Sequence, residues 1–252
     1  MFIRLMGRVD ALGAEGVRPR GRKTWALLAY LLLAEVAPTR RRLVSLLFTE
    51  AEDPLRALRW NLAELRRALG PAVTMGGDPV LLHLGRGVRV DVRLLGSGLP
   101  SRLVGGELLE GMDFPSSPAF EAWLAVERRR LAVASEAVLR DAAVTRLADG
   151  CPDEAAVLAA RCVELDPLNA EHHTVLVRSL AAAGATVAAR RQAVRCAALF
   201  HRELGLDPPP EVAAAAGIPP RTGRGPVGNA YGVSWPMRMA LPNGSRRPKS
   251  MP

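Results

Sequence analysis

The stretch from Asp53 to Gly70 constrains the fold more than any other part of the chain, because it carries helix start and stop signals around a regular apolar pattern. Asp53 can accept the free N–H groups of a first turn, Pro54 suits the first helical position, and Gly70 suits a helix end. The leucines recur every three or four residues, and at about 100° per residue they gather on one face. They are Leu55, Leu58, Leu62, Leu65 and Leu69. The sequence therefore predicts one amphipathic helix with a buried leucine face.

The opposite face of this helix is cationic and partly aromatic, and we call it the cationic stripe. Its members are Arg56, Trp60 and Arg67 along the centre, Arg59 and Arg66 at one edge and Glu64 at the other. A basic helix face is usually just a solvated surface, so the stripe alone does not indicate contact with nucleic acid. Its interpretation depends on the rest of the chain.

Positive charge is concentrated in two parts of the sequence. The net charge of +9 divides into +7 for residues 1–95, −4 for residues 96–218 and +6 for residues 219–252. This distribution is typical of a polyanion-binding module joined to a module of another kind. We therefore predict a first domain over 1–95 and a second over 96–218. The basic segment 219–252 is rich in Gly and Pro and has no periodicity, so we expect a disordered tail.

The first 95 residues predict strands, three helices and a hairpin, in that order. Short apolar pieces between residues 2 and 17 suggest two or three strands. A helix follows over residues 23–34, and a second begins after Thr39, which suits an N-cap. After the central helix, residues 73–92 read as a hairpin with Arg86 at its tip.

This order is that of a winged helix, whose third helix enters the major groove while the second helix and the wing touch the backbone. Arg56, Trp60 and Arg67 would then face the base edges, since Arg reads guanine and Trp60 can pack on sugar or a thymine methyl. Glu64 would bring an acid close to the DNA. The remaining cations are expected to hold phosphates, and they are Lys23, Arg40, Arg41, Arg42, Arg59, Arg66, Arg86 and Arg89.

Residues 1–95 resemble the OmpR-type winged helix of the Streptomyces antibiotic regulatory protein (SARP) group. The resemblance lies in Arg22-Lys23-x-x-Ala26-Leu27-Leu28-Ala29-Tyr30-Leu31, in Thr39 to Leu47, and in Asn61-Leu62-x-x-Leu65-Arg66-Arg67-Ala68-Leu69-Gly70. The chain departs from the family pattern at Leu47-Phe48, where Leu-Trp is common, and at Gly87-Val88, where Gly-Tyr is common.

The second part of the chain predicts only helices, in a repeated arrangement. A long helical pattern from about 120 to 148 is followed by pieces at 153–165, 170–183 and 187–204. Residues 148–165 laid over 182–199 give seven identities at an offset of 34, the period of tetratricopeptide-like helix pairs. The ending Glu203-Leu204-Gly205-Leu206-Asp207-Pro208-Pro209-Pro210-Glu211 resembles the end of the bacterial transcriptional activator domain that follows the winged helix in SARPs.

The predicted fold class is thus mainly α with a small β component, a winged helix-turn-helix followed by an all-α tetratricopeptide-like domain. The resemblance implies a sequence-specific DNA-binding regulator, an activator acting at promoters of a specialised gene cluster. It also implies partners: repeated sites in double-stranded promoter DNA, RNA polymerase holoenzyme, and further copies of the chain in a homo-oligomer.

Other chemistry has weaker support. The glycine-rich stretch 16–24 lacks the adjacent Gly-Lys of a phosphate-binding loop, and Pro19 removes one backbone donor. Cys151, Cys162 and Cys196 form no CxxC pair, and His172-His173 is a poor chelate because a helix points adjacent side chains about 100° apart. We therefore expect no enzyme activity, no cofactor and no metal site.

One alternative function stays open, a protein-interaction adaptor with a degenerate winged helix and peptide-binding repeats. Absent DNA affinity, or affinity that does not fall as salt rises, would favour it. The longest apolar block, residues 25–34, is far short of the roughly 20 residues that span a bilayer, and the first residues lack the apolar run of a signal peptide. We expect a cytoplasmic protein with no membrane partner.

Overall fold

The computed structural model of the chain describes residues 1–12, 18–95, 97 and 99–218. In this part of the chain two short strands precede three helices, three further strands follow, and the remainder is helical. The strands are β1 (Phe2–Arg4), β2 (Asp10–Leu12), β3 (Val73–Gly76), β4 (Leu81–Leu84) and β5 (Arg89–Val90). The helices are α1 (Arg22–Leu33), α2 (Arg40–Leu47), α3 (Pro54–Leu69), α4 (Asp91–Leu94), α5 (Pro118–Ala148), α6 (Pro152–Leu165), α7 (Ala170–Ala182), α8 (Thr186–Leu204) and α9 (Pro210–Ala215).

The end signals of α2 and α3 act as the sequence predicts. The Thr39 hydroxyl accepts the Arg42 N–H at 3.2 Å, and the Asp53 carboxylate accepts the Arg56 N–H at 2.8 Å. Pro54 occupies the first turn of α3, and Gly70 ends the helix with a φ of 63°, a conformation that favours glycine. Local chemistry therefore fixes where the central helix begins and ends.

The leucine face of α3 is buried from Leu58 onward, but the prediction for Leu55 is wrong. Leu58, Leu62 and Leu65 are at most 1% exposed, whereas Leu55 is 49% exposed. A helical side chain covers the turn on the N-terminal side of its own Cα. Leu55 therefore projects past the start of the helix, beyond the packed face.

The predicted position of the hairpin tip is also wrong. β3 and β4 pair in antiparallel register from Val73 with Leu84 to Gly76 with Leu81, so the turn comprises residues 77–80. We call β3, β4 and this turn the wing hairpin. Arg86 lies at its other end, in the connection to β5, which pairs with β1 instead and continues directly into α4. The alternating valines, which predicted one longer strand, are thus divided between a strand and a helical turn.

The helical second half follows the predicted repeat closely. α5 to α8 begin and end within two residues of the predicted helical pieces, and each packs against the next in sequence. The 34-residue offset superposes α6 on the start of α8. The paired residues occupy equivalent sites, since Ala155 and Ala189 are both fully buried and Cys162 and Cys196 are at most 1% exposed. A short ninth helix, α9, packs on α7 and α8 and was not predicted.

One apolar core runs from the winged-helix elements into the helical repeats. Tyr30 of α1 packs edge to face on Trp123 of α5, with ring centroids 4.8 Å apart. The Ser117 hydroxyl, just before α5, donates to the Leu47 carbonyl of α2 at 3.2 Å. Gly106 approaches Gly7 so closely that a Cβ at residue 106 would clash with the residue 7 backbone. The connecting segment is therefore held against both parts.

Candidate nucleic-acid interface

The N-terminal half of the cationic stripe is exposed. Trp60 is 58% exposed, and Arg56 and Arg59 are exposed on neighbouring turns of α3. Within the described residues the Arg56 guanidinium has no hydrogen-bond or ion-pair partner. The Arg59 guanidinium lies 3.9 Å from the Asp53 carboxylate, and an exposed pair at this distance restrains it little. These side chains can therefore reach a ligand that lies along the helix.

The C-terminal half of the stripe is tied to the protein. The Arg67 Nε donates to Glu64 Oε2 at 3.1 Å, and Nη2 lies 2.7 Å from Oε1 and 2.8 Å from Oε2. Arg66 donates from Nε and Nη2 to the Met75 carbonyl, at 3.1 and 2.9 Å, and so holds strand β3 against α3. Arg67 is thus oriented by a carboxylate, and Arg66 fixes the wing hairpin.

Glu64 lies inside the protein, not at the exposed edge of the stripe as the sequence predicted. Its side chain is only 8% exposed. The carboxylate accepts hydrogen bonds from Arg67 and from the Arg20 backbone N–H, the latter at 3.0 Å. The hydrogen bond from Arg67, and after it the bond from the Arg20 N–H, lower the pKa of Glu64. Desolvation raises this pKa, but the net shift is downward. The acid therefore stays ionised and does not face the solvent in front of α3.

A buried polar network beside Glu64 fixes α3 against α1. The Thr24 hydroxyl lies 2.7 Å from Asn61 Oδ1 and 2.6 Å from the Arg20 carbonyl, while Asn61 Nδ2 donates to the Ala57 carbonyl at 2.8 Å. Thr24 is fully buried and Asn61 is 6% exposed. No motif or periodicity in the sequence predicts this network. The one feature that could indicate it is Asn61, a polar residue directly beside the leucine face.

The network also brings Arg20, which is not among the predicted site residues, to the edge of the cationic stripe. Its backbone bonds to Glu64, and its own side chain is exposed. Arg20 lies two residues before α1, so no periodicity within α3 indicates its place beside Glu64.

The start of α2 contributes a second group of cations. Arg41 and Arg42 are exposed, and within the described residues their guanidinium groups have no partner. Arg40 instead joins α2 to the wing hairpin, because its N–H donates to Asp78 Oδ1 at 2.9 Å and its Nε to the Gly77 carbonyl at 3.1 Å. Two of the three predicted phosphate contacts of α2 are therefore unengaged within the protein, and the third positions the turn.

The other predicted phosphate contacts are more dispersed. The Lys23 ammonium lies 5.7 Å from the centre of the Phe48 ring, where it makes a cation–π contact. Arg86 and Arg89 are exposed, but they lie past the end of β4 opposite the turn that contacts α2. The structure thus joins α3, the start of α2 and the hairpin turn, and leaves Arg86 at the far end of the hairpin.

The remaining candidate chemistry has structural explanations. Gly21 caps α1 with a φ of 87°, while Gly16 and Val17 lie outside the described residues. Burial raises the pKa of the Cys162 and Cys196 thiols to about 11, which disfavours the reactive thiolate. Among the described residues no cluster of His, Cys, Asp and Glu could hold a metal ion, and no helix is long and apolar enough to cross a membrane.

His172 and His173 point to different partners. His172 Nε2 lies 3.0 Å from Glu136 Oε1. His173 contacts the Pro167 carbonyl and the Gln192 side chain, each at 2.9 Å. Both rings therefore serve the packing of the helical repeats.

Two strands and three helices followed by a wing hairpin, joined to stacked helix pairs, define a winged helix-turn-helix with a tetratricopeptide-like domain. A comparison with protein families matches residues 94–217 to the bacterial transcriptional activator domain. This match confirms the resemblance of the chain to SARP-type transcriptional regulators. A search of curated proteins found no match.

Among solved structures, the chain is similar to Mycobacterium tuberculosis EmbR in complex with a low affinity phosphopeptide, with a TM-score of 0.56 and 16% sequence identity. The match covers 85% of this chain and 63% of that chain, so this chain spans less than two thirds of EmbR. At this identity the likeness shows a shared fold.

Proposed function

We propose that the chain is a sequence-specific double-stranded DNA-binding transcriptional regulator. It would act as an activator that recruits RNA polymerase holoenzyme at promoter repeats of a specialised gene cluster. The observation that carries this proposal is the exposed N-terminal half of the cationic stripe. There Arg56 and Trp60 are accessible to a ligand, on a helix that packs against α1 and is bonded to the wing hairpin through Arg66. The bacterial transcriptional activator domain supports a role in transcription.

In the proposed mechanism α3 lies in the major groove. Arg56 and Arg67 would read base edges, and Trp60 would pack on a sugar or a thymine methyl group. Arg41, Arg42 and Arg59 would bind phosphates and fix the register, because contacts to the backbone carry no sequence information. Arg40 and Arg66 would act mainly by holding the wing hairpin beside the groove. Lys23, Arg86 and Arg89 are weaker candidates for phosphate contact.

The proposal keeps residues 1–95 as the DNA-binding module and 96–218 as the partner module. The shared core between them argues that they move together, so DNA binding would set the orientation of the helical repeats. Residues 219–252 lie outside the described part of the chain, and their six cations without an acid could add non-specific attraction to DNA. A regulator of promoters would act in the cytoplasm.

The helical repeats carry apolar surface suited to a protein partner. Val126 and Val133 of α5 are 66% and 61% exposed, and Val187 and Val194 of α8 are 65% and 62% exposed. Each pair is seven residues apart, so its members lie on the same side of a helix. RNA polymerase or a second copy of the chain could cover these faces. The same faces favour the alternative function, an adaptor that binds only proteins.

The test uses the full chain, because the two modules share a core. Random duplexes are selected for binding, and the affinity for the preferred duplex is then measured at several salt concentrations. We expect one recovered sequence motif, which we call the operator, and an affinity that falls as salt rises. Arg190→Ala on α8 is a matched control for loss of one exposed arginine, and it should leave operator affinity unchanged. A chain that recovers no motif and shows no salt-dependent affinity is the adaptor.

A further inference from the structure

We infer that Glu64 is a positioning residue that presents Arg67 to a guanine in the major groove. The inference deepens the proposed function and rests on it. The Glu64 carboxylate occupies one edge of the Arg67 guanidinium and leaves another edge open.

The pair uses the side edge of the guanidinium. Nε and Nη2 both point at the Glu64 carboxylate, at distances of 2.7 to 3.1 Å. A guanidinium has five N–H donors, so both hydrogens of Nη1 and one of Nη2 remain free, and one from each nitrogen points along the tip. Within the described residues Nη1 has no partner, and the Arg67 side chain is 49% exposed. The open edge carries two parallel donors, which match the O6 and N7 acceptors of guanine.

Glu64 itself cannot swing away easily. Its side chain is 8% exposed, and Oε1 also accepts the Arg20 N–H at 3.0 Å. Next to it, the Thr24 and Asn61 bond fixes the same stretch of α3 against the entrance to α1. The carboxylate is therefore part of the rigid interior, and it pre-orders a side chain that would otherwise sample many rotamers. Pre-ordering lowers the entropic cost of forming a directional contact.

The charge of the pair favours a base over a phosphate. Glu64 neutralises most of the Arg67 charge at short range, so the pair attracts a phosphate only weakly. Hydrogen bonds to guanine depend instead on the orientation of the guanidinium, which the Glu64 carboxylate fixes. The structure thus assigns Arg67 to specificity and makes Glu64 the residue that orients it.

The experiment uses the full chain and its selected operator, in which each G·C pair is replaced in turn by A·T. For the wild type, we expect one guanine whose replacement lowers affinity about 10- to 100-fold. At that position 7-deazaguanine, which lacks the N7 acceptor, should also weaken binding. In Glu64→Gln the replacement at this one position should cost less than about 3-fold, while the other positions keep their wild-type losses. Affinity for a scrambled duplex should not fall.

Arg67→Lys provides a second variant that does not disturb the interior. It keeps the charge but lacks the planar pair of donors, so it should lose the same guanine preference and leave the other positions unchanged. Circular dichroism and thermal melting check that each variant is folded. If Glu64→Gln unfolds the chain, Glu64→Asp replaces it, because the shorter side chain keeps the charge but draws the carboxylate away from Arg67.

Two results would overturn the inference in distinguishable ways. If the wild type selects an operator but Glu64→Gln keeps every guanine preference, Glu64 only masks a charge and the inference fails alone, whatever Arg67→Lys does. Affinity that rises equally for operator and scrambled duplex in Glu64→Gln, with an unchanged guanine profile, has the same meaning. If the wild type selects no operator at all, the proposed function fails and the inference fails with it.

Discussion

The two halves of α3 carry the same kind of side chain in different situations. In the N-terminal half Arg56, Arg59 and Trp60 are exposed and almost unrestrained, whereas in the C-terminal half Arg66 and Arg67 are bonded to the protein. Helical periodicity assigns both halves to the same outer stripe. The difference teaches that periodicity gives the side of a helix on which a residue lies but not the partner that it finds there.

The contrast has a functional meaning. Arg56 and Arg59 at one end of the helix can be ordered only by the DNA, whereas Arg67 at the other end is already oriented by Glu64. A side chain that is oriented before binding reads a base at a lower entropic cost, so we expect Arg67 to discriminate between bases more sharply than Arg56.

The largest expected effect concerns the inner face of the same helix. Leu62→Ala should lower the free energy of unfolding by about 2 to 5 kcal/mol, because it opens a cavity at a residue that is 1% exposed. Leu55→Ala, in the N-terminal half, should lower it by less than about 1 kcal/mol because Leu55 is 49% exposed. Chemical denaturation measures both. Equal losses would mean that the leucine face continues to the start of α3.

A smaller effect is expected for the arginine that holds the wing hairpin. Arg66→Ala should cost about 1 to 2 kcal/mol of stability, since the Met75 carbonyl loses two hydrogen bonds from a charged donor. Arg59→Ala is the matched control, and it should cost less than about 0.5 kcal/mol because its ion pair is exposed and long. If the denaturation curves of the two variants coincide, the two halves of α3 do not differ in how firmly their arginines are held.

The salt dependence of DNA binding should also differ between the halves. Each phosphate contact contributes about 0.9 to the slope of log affinity against log salt. Arg59→Ala in the N-terminal half should reduce the slope by about that amount, as should Arg41→Ala at the start of α2. Arg67→Ala should leave it nearly unchanged, because Glu64 already neutralises that charge. A slope lowered equally by Arg67→Ala would place Arg67 among the phosphate contacts.

The smallest effect is on the pH dependence of stability. Arg67 and the Arg20 N–H lower the pKa of Glu64 in the folded chain from its ordinary value of 4.5. The folded state therefore binds the Glu64 proton less readily than the unfolded state does, and the stabilisation is complete above that value. It is lost as the pH falls through the lowered pKa. The stability difference between wild type and Glu64→Gln should shrink below pH 4.5, and a constant difference would argue against the pair.

Much of the fold follows from local sequence signals. Thr39, Asp53 and Gly70 fix helix ends through contacts within a few residues, and the 34-residue repeat gives the helix pairs. The errors and omissions arise where partners are distant in sequence. The exposure of Leu55 depends on how far the packed surface extends. The burial of Glu64 depends on a hydrogen bond from a backbone N–H that is 44 residues away in sequence. Only the folded chain brings those groups together.

The wing hairpin gives the same lesson. Residues 76–79 and the stretch Gly85-Arg86-Gly87 both contain residues that favour turns. The sequence therefore contains two possible sites for the hairpin turn. The turn forms at the earlier site, where the Val80 N–H donates to the Pro38 carbonyl at 2.8 Å. β5 pairs with β1 instead of extending the hairpin. Long-range pairing therefore decided between two local possibilities.

The most direct test of the proposed interface is the ratio of affinities for the operator and for a scrambled duplex, measured by fluorescence anisotropy at one salt concentration. Arg56→Ala should lower this ratio, with a cost of about 1 to 3 kcal/mol on the operator, while Arg41→Ala should weaken both duplexes alike and leave the ratio unchanged. Equal losses on both duplexes for Arg56→Ala would contradict the placement of α3 in the major groove.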